Sequence, residues 1–191
     1  PNLTIMVPAD ENELRQMLYT ALKVNGPVAI RYPRGAGVGV KIDRNFDLIH
    51  LPEARVHAKG THTAVLAVGS MVYPCIEAAE ILRKKGISLE VVNMRFVKPM
   101  DKQMLKSVSE RFELIFTAEE NTLKGGFGSL INEYFASSGR MIHNIGLPDA
   151  FVEHGTTNIL KQNYGLSPQK IANKIQEIYE NCLKGAYHYR K

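Results

Sequence analysis

Apolar positions along the chain switch repeatedly between two periods. Short apolar runs of strand length fall at Leu3–Val7, Val28–Ile30, His62–Val68, Leu89–Val97, Leu114–Thr117 and Met141–Leu147. Between them, apolar residues recur at helical spacing. The first such set is Leu14, Met17, Leu18, Ala21 and Leu22; the next is Cys75, Ala78, Ala79 and Leu82. Met104, Leu105, Val108 and Phe112 follow, then Leu130, Ile131, Tyr134 and Phe135, and finally Ile171, Ile175, Ile178, Tyr179 and Cys182. The punctuation agrees with these periods. Asp10 is placed to cap the first helix, with Glu13 three residues on in capping-box position. Asn25-Gly26 then stops that helix. Gly86 stops the second helix and Asp101 caps the third; Ser167-Pro168 opens the last, with proline at its first position, and Gly185 stops it. Arg55 to Lys59 reads as a short edge strand.

Strands alternating with helices predict an α/β fold: a three-layer arrangement with a mostly parallel sheet and helices on both faces. The alternation breaks once. Residues 1–35 make one β-α-β unit, too small to fold alone. Residues 36–52 begin within the run Gly35-Ala36-Gly37-Val38-Gly39, with no helical pattern after it. That rules out a dinucleotide loop of the G-x-G-x-x-G kind. A flexible linker is expected there, with Leu48-Ile49-His50-Leu51 pinned to a domain surface. Residues 53–185 hold a complete second pattern, and 186–191 form a basic tail.

Composition narrows the function classes. The 191 residues carry 24 Lys and Arg against 19 Asp and Glu, a formal charge of +5. The basic residues are spread along the chain, and no basic stripe interleaved with aromatics suggests nucleic acid. No apolar run is long enough to span a bilayer, and no signal-peptide pattern is present. Cys75 and Cys182 both fall on apolar helical faces, as expected of free thiols in a reducing compartment.

Four features are candidates for chemistry. In Val28-Ala29-Ile30-Arg31-Tyr32-Pro33-Arg34-Gly35, a buried strand ends in two arginines stiffened by a proline. Parallel strands release functional groups at their carboxyl ends, and a guanidinium held there suits a phosphate or carboxylate. Pairing of both arginines with acidic neighbours is the alternative. Glu119-Glu120-Asn121 follows a strand and supplies either acid–base groups or a helix cap and loop contacts. Gly125-Gly126-Phe127-Gly128 opens a helix, so its N–H groups either hold an anion or permit tight helix-to-sheet packing. His154, in Phe151-Val152-Glu153-His154-Gly155, is either a proton carrier or a surface residue. The remaining histidines, His50, His57, His62, His143 and His188, have no metal-ligand spacing.

The second domain resembles the C-terminal domain of the transketolase superfamily. The likeness lies in Val68-Gly69-Ser70-Met71-Val72, in the run from Val91 to Asp101, in Glu119-Glu120-Asn121 and in Gly125-Gly126-Phe127-Gly128. Those motifs also admit the β subunit of 2-oxoacid dehydrogenases. Three more, Pro8-Ala9-Asp10-Glu11-Asn12-Glu13, Arg31-Tyr32-Pro33-Arg34-Gly35, and Ile145 to Asp149 with Glu153-His154-Gly155, resemble the 1-deoxy-D-xylulose-5-phosphate synthase family.

The resemblance implies an enzyme that condenses pyruvate with glyceraldehyde 3-phosphate, with loss of CO₂, on thiamine diphosphate and Mg²⁺. Its product feeds isoprenoid, thiamine and pyridoxal synthesis. It implies that Arg34 contacts the phosphate of the aldehyde, while Arg31 forms a structural ion pair. It also implies that residues 1–35 end a pyrimidine-binding domain. The cofactor-activating glutamate and the metal ligands belong to parts of the family's sequence without counterpart here. No catalytic, cofactor-binding or metal-binding residue is therefore assigned in this chain, and alone it is expected to bind no cofactor and to be inactive. The expected partners are the N-terminal domains of the same protein and a second copy in a homodimer. The expected place is a bacterial cytoplasm or a plastid. A non-catalytic dimerisation module is the alternative from another class.

Overall fold

The computed structural model describes residues 1–188, with side chains through Lys184. Two sheets organise it. The smaller has the order β2-β1-β6, with β1 at Thr4–Met6, β2 at Val28–Ile30 and β6 at Phe96–Lys98. The larger has the order β3-β5-β4-β7-β8: β3 is Arg55–Ala58, β4 Thr63–Ala67, β5 Leu89–Asn93, β7 Leu114–Thr122 and β8 Met141–Leu147. Within the larger sheet β3 is antiparallel to β5, and every other pair is parallel. Helices α2 (Val72–Arg83) and α6 (Pro168–His188) cover one face, and α3 (Lys102–Arg111) and α4 (Phe127–Phe135) the other. This is the three-layer α/β arrangement that the alternation predicts.

The central strands β4 and β7 are apolar on both faces, because both face helices. Val65 and Phe116 point toward Cys75, Leu82, Ile171 and Ile175; Leu66 and Ile115 point toward Leu105, Val108, Ile131 and Phe135. Burial of each such large side chain is worth roughly 1.5–3 kcal/mol, so these two layers set the fold. Asp101 caps α3 as its spacing predicts, accepting from Met104 N at 2.9 Å. No helix among the described residues is long and apolar enough to cross a membrane.

Several elements differ from the sequence reading. The run Leu89–Val97 is not one strand. β5 ends at Asn93, Arg95 takes a left-handed conformation (φ 55°), and β6 then crosses to pair antiparallel with β1. Val28–Ile30 is a half-buried edge strand rather than a buried one, with Ala29 exposed. Glu119-Glu120-Asn121 lies within β7, which is longer than predicted, and a short helix α5 (Thr157–Asn163) occupies what reads as loop. Gly185 does not stop α6, which continues to His188. The basic tail of 186–191 therefore begins inside that helix, and 189–191 lie outside the described residues.

The largest difference concerns α1 (Glu11–Ala21). Its buried residues are Glu13, Gln16, Met17 and Thr20, whereas Leu18 is 53% and Leu22 83% exposed. The polar side is buried because each group finds a partner; an unpaired one costs about 1–3 kcal/mol. Many of those partners come from residues 38–49, expected as a flexible linker, which run along α1 as a strap. Arg15 donates to the carbonyls of Asp43, Arg44 and Asn45, and its guanidinium lies 3.7 Å from the Phe46 ring centre. Gln16 accepts from Asp47 N at 2.6 Å and donates to Asn45 O; Thr20 Oγ1 accepts from Ile49 N at 2.9 Å. Ile49 is buried against Met6, Met17 and Phe96, so the pinned point at 48–51 is present.

Candidate functional site

Two loci collect the residues singled out above. The first is the carboxyl end of β2. Arg31 N donates to Met6 O at 2.9 Å and closes the strand. Tyr32, Pro33, Arg34 and Gly35 then leave the sheet as an exposed loop. Among the described residues neither Arg31 nor Arg34 enters an ion pair, so the pairing expected of Arg31 is not formed here. The chain returns to α1 immediately afterwards. The Glu11 carboxylate accepts from Val38 N (3.1 Å), Gly39 N (2.6 Å) and Val40 N (3.1 Å). Its own backbone N–H, and then those of Gly39, Val38 and Val40, hold its carboxyl below the usual range. Asn12 and Asp43 close the next turn reciprocally, at 2.7 and 3.0 Å. Arg34 thus stands on a loop tied at both ends, with an uncommitted guanidinium facing solvent.

The second locus is the switch point of the larger sheet. The connection from β4 runs to β5 on one side, and that from β7 to β8 on the other, so a crevice opens between the carboxyl ends of β4 and β7. Ser70 follows β4, and Glu119 and Glu120 lie near the carboxyl end of β7. The pair divides as neighbours on a strand must. Glu119 is 1% exposed, and its carboxylate accepts from Phe127 N and Gly128 N at 2.8 Å each. The N-terminus of α4 does hold an anion, as the glycine-rich motif allows, but that anion is the protein's own carboxylate. A Cβ on Gly128 would lie 2.8 Å from the Asn144 side chain and one on Gly146 2.8 Å from Leu123. Close packing is therefore what these glycines permit. Glu120 accepts from the Ser70 hydroxyl and pairs with Lys161 at 3.3 Å. These contacts tie Glu120 to the turn after β4 and to α5. His154 is exposed, in the loop before α5, and is not brought to either locus by any described contact.

A buried polar joint links the small sheet to the large one, and sequence reasoning missed most of it. The Glu13 carboxylate accepts from Ala9 N (2.7 Å), Asn93 Nδ2 (2.9 Å) and Arg95 Nε (2.7 Å). The capping box is thus half formed. Asp10 accepts from Glu13 N at 2.8 Å, but Glu13 reaches back to Ala9 and not to Asp10. Tyr73 donates to Asp10 at 2.8 Å, and burial with this bond pushes its hydroxyl up to about 12. His57, on β3, has a buried Nε2 with no partner among the described residues. The signals available for this joint were Glu13 itself and the break at Arg95. Nothing in the pattern paired them across 82 positions.

Residues 52–171 match the family described as transketolase, C-terminal domain. Among curated proteins, the chain is similar to a 1-deoxy-D-xylulose-5-phosphate synthase of Pelotomaculum thermopropionicum, with 48% identity over 182 residues. It is also similar to synthase 2 of Geobacter sulfurreducens (46%) and to the Acinetobacter baumannii enzyme (44%). These alignments cover 93–94% of this chain and 29% of each relative, so the chain spans under a third of the length of the curated relatives it matches. Among solved structures, a split-gene transketolase described as an inactive β4 tetramer superposes with a TM-score of 0.81 at 27% identity, over 93% of this chain and 58% of that one. A Pichia stipitis transketolase shares the fold at a TM-score of 0.70 and 17% identity, over 94% of this chain and 25% of that one.

Proposed function

The chain belongs to the transketolase C-terminal-domain family, and from that premise we propose that it is the C-terminal part of a 1-deoxy-D-xylulose-5-phosphate synthase. The intact enzyme joins pyruvate to glyceraldehyde 3-phosphate with loss of CO₂. The observation that carries the reading is the 48% identity over 182 residues to a protein of that name. Thiamine diphosphate and Mg²⁺ are what the family implies for the intact enzyme. Among the described residues no three His, Cys, Asp or Glu side chains converge to hold a cation. No step through the cofactor is therefore derived for this chain.

What the chain contributes in this reading is substrate binding. Arg34 offers an unpaired guanidinium on a loop tied at both ends, suited to a bidentate grip on a phosphate dianion. Among the described residues no carboxylate pairs with it, so binding breaks no ion pair formed there. The remaining partners of the proposal are the N-terminal domains of the same enzyme and a second copy, in a bacterial cytoplasm or a plastid.

The test is an assay of the intact enzyme with pyruvate and glyceraldehyde 3-phosphate, beside this chain alone. The expected result is product from the intact enzyme and none from the chain. Arg34→Ala in the intact enzyme should raise KM for the aldehyde by a factor matching roughly 2–4 kcal/mol, with little change in KM for pyruvate. Equal effects on both substrates remove the assignment of Arg34. Turnover of pyruvate without use of the phosphorylated aldehyde moves the protein to the 2-oxoacid dehydrogenase branch.

A further inference from the structure

The loop that carries Arg34 has two fixed ends of different kinds. At the near end, the N–H of Arg31 continues the ladder of β2 onto Met6. At the far end there is no strand. A single side chain, Glu11 in the first turn of α1, receives the N–H groups of Val38, Gly39 and Val40. Residues 32–37 are exposed between these anchors. Gly37 passes so close that a Cβ there would sit 2.8 Å from the Glu11 carboxyl carbon. Three N–H groups converging on one carboxylate make a small anion nest whose anion belongs to the protein. Glu11 also lies in the first turn of α1, where a carboxylate complements the helix dipole.

We propose that Glu11 is a positioning residue for phosphate binding: its carboxylate fixes the far end of the loop and so sets where the Arg34 guanidinium stands. This rests on the reading of Arg34 as the phosphate ligand. The physical reason is reach. A guanidinium grips two phosphate oxygens only in a narrow geometry, and a small displacement of its backbone forfeits one of the two bonds. Proline at position 33 stiffens the near half of the loop, and no residue from Gly35 to Gly39 supplies comparable stiffness. The clamp at 38–40 supplies it instead.

The experiment is steady-state kinetics of the intact synthase carrying Glu11→Ala, Gly37→Ala, Arg34→Ala and the Glu11→Ala/Arg34→Ala pair, with Glu11→Gln as the conservative variant. Glu11→Ala should raise KM for glyceraldehyde 3-phosphate about tenfold, and leave KM for pyruvate within about twofold. Glu11→Gln keeps the length and one acceptor oxygen, and should recover most of the loss. Gly37→Ala keeps the carboxylate but puts a Cβ within 2.8 Å of it, so that the Glu11 side chain or the loop must give and the clamp loosens; it should reproduce the same selectivity. It carries the test if Glu11→Ala fails to fold. In the double variant, loss of Glu11 should add nothing once Arg34 is gone. A raised KM for the aldehyde in Arg34→Ala with no change in both Glu11→Ala and Gly37→Ala overturns this inference alone. No change in Arg34→Ala overturns the reading beneath it. Equal rises for both substrates in Glu11→Ala reduce Glu11 to a strap anchor and also overturn the proposal.

Discussion

Two adjacent glutamates show how local geometry separates residues that look equivalent. Glu119 faces inward and satisfies two N–H groups at the start of α4, while Glu120 faces the crevice, with Ser70 and Lys161. Removing Glu119 strands two buried donors, each costing about 1–3 kcal/mol, and strips the negative charge from a helix N-terminus. Glu119→Ala should therefore destabilise the chain by roughly 3 kcal/mol in urea titration, with an unchanged m value. Glu120→Gln weakens a partly exposed ion pair, and should cost under about 1 kcal/mol. The reverse order would mean that the crevice, and not the glycine-rich turn, holds this end of the sheet together. Arg34 differs from both in that it enters no ion pair among the described residues.

The joint between the two sheets is a property of elements. Glu13 from α1, Asn93 from β5 and Arg95 from the turn before β6 share one buried network, and Tyr73 from α2 closes on Asp10 beside it. His57 on β3 lies within the field of this network. Burial lowers its pKa first, the Arg55 and Arg95 cations lower it further, and Glu13 and Asp10 oppose them. A histidine held neutral in the fold stabilises it fully above its unfolded pKa of about 6.5, and that contribution is lost as pH falls below this value toward the lower folded one. Denaturation midpoints at pH 7.5 and 5.5 should thus fall further for the parent chain than for His57→Gln. A residual fall should persist in the variant, because burial and Lys174 lower His143 in the same direction. An identical pH dependence in the two proteins would take His57 out of the joint. At this scale the legibility of the sequence was uneven, for physical reasons. The cap at Asp101, the buried stripe of α2 and the glycine-rich entry to α4 depend on neighbours a few residues away, and periodicity finds them. The buried side of α1 depends on a strap some 30 residues off, and a run of leucines pointed to the wrong face. β6 changes sheets at a left-handed arginine, which no hydrophobic period marks. Of the site, Arg34 was singled out by motif and resemblance, whereas Glu11, Tyr73, Asn93 and Lys161 act through distant partners.

At the scale of the whole molecule, the two sheets are unequally finished. The larger is covered on both faces. The smaller has three strands, and β2 has a neighbour on one side only, so its outer edge presents unpaired N–H and C=O groups among the described residues. On the exposed side of α1, Leu14, Leu18 and Leu22 form an apolar groove with Tyr19, Arg15 and Phe46. If residues 1–35 end a pyrimidine-binding domain, as the resemblance implies, this edge and groove are where the rest of that domain would pack. Leu18, at 53% exposure, discriminates. Leu18→Glu should leave the stability of this chain within about 0.5 kcal/mol of the parent, as for a surface substitution. In the intact enzyme the same change puts a charge into a covered apolar contact, and the melting temperature should drop by several degrees. Calorimetry on the two backgrounds, with size-exclusion profiles at two concentrations, makes the comparison. A large loss in the isolated chain, of the roughly 2–5 kcal/mol that a buried leucine would cost, means that the groove is already covered by a second copy, and the concentration dependence would reveal it. A small effect in both backgrounds means that the groove stays open in the enzyme, and that the domain boundary drawn through residues 1–35 is misplaced.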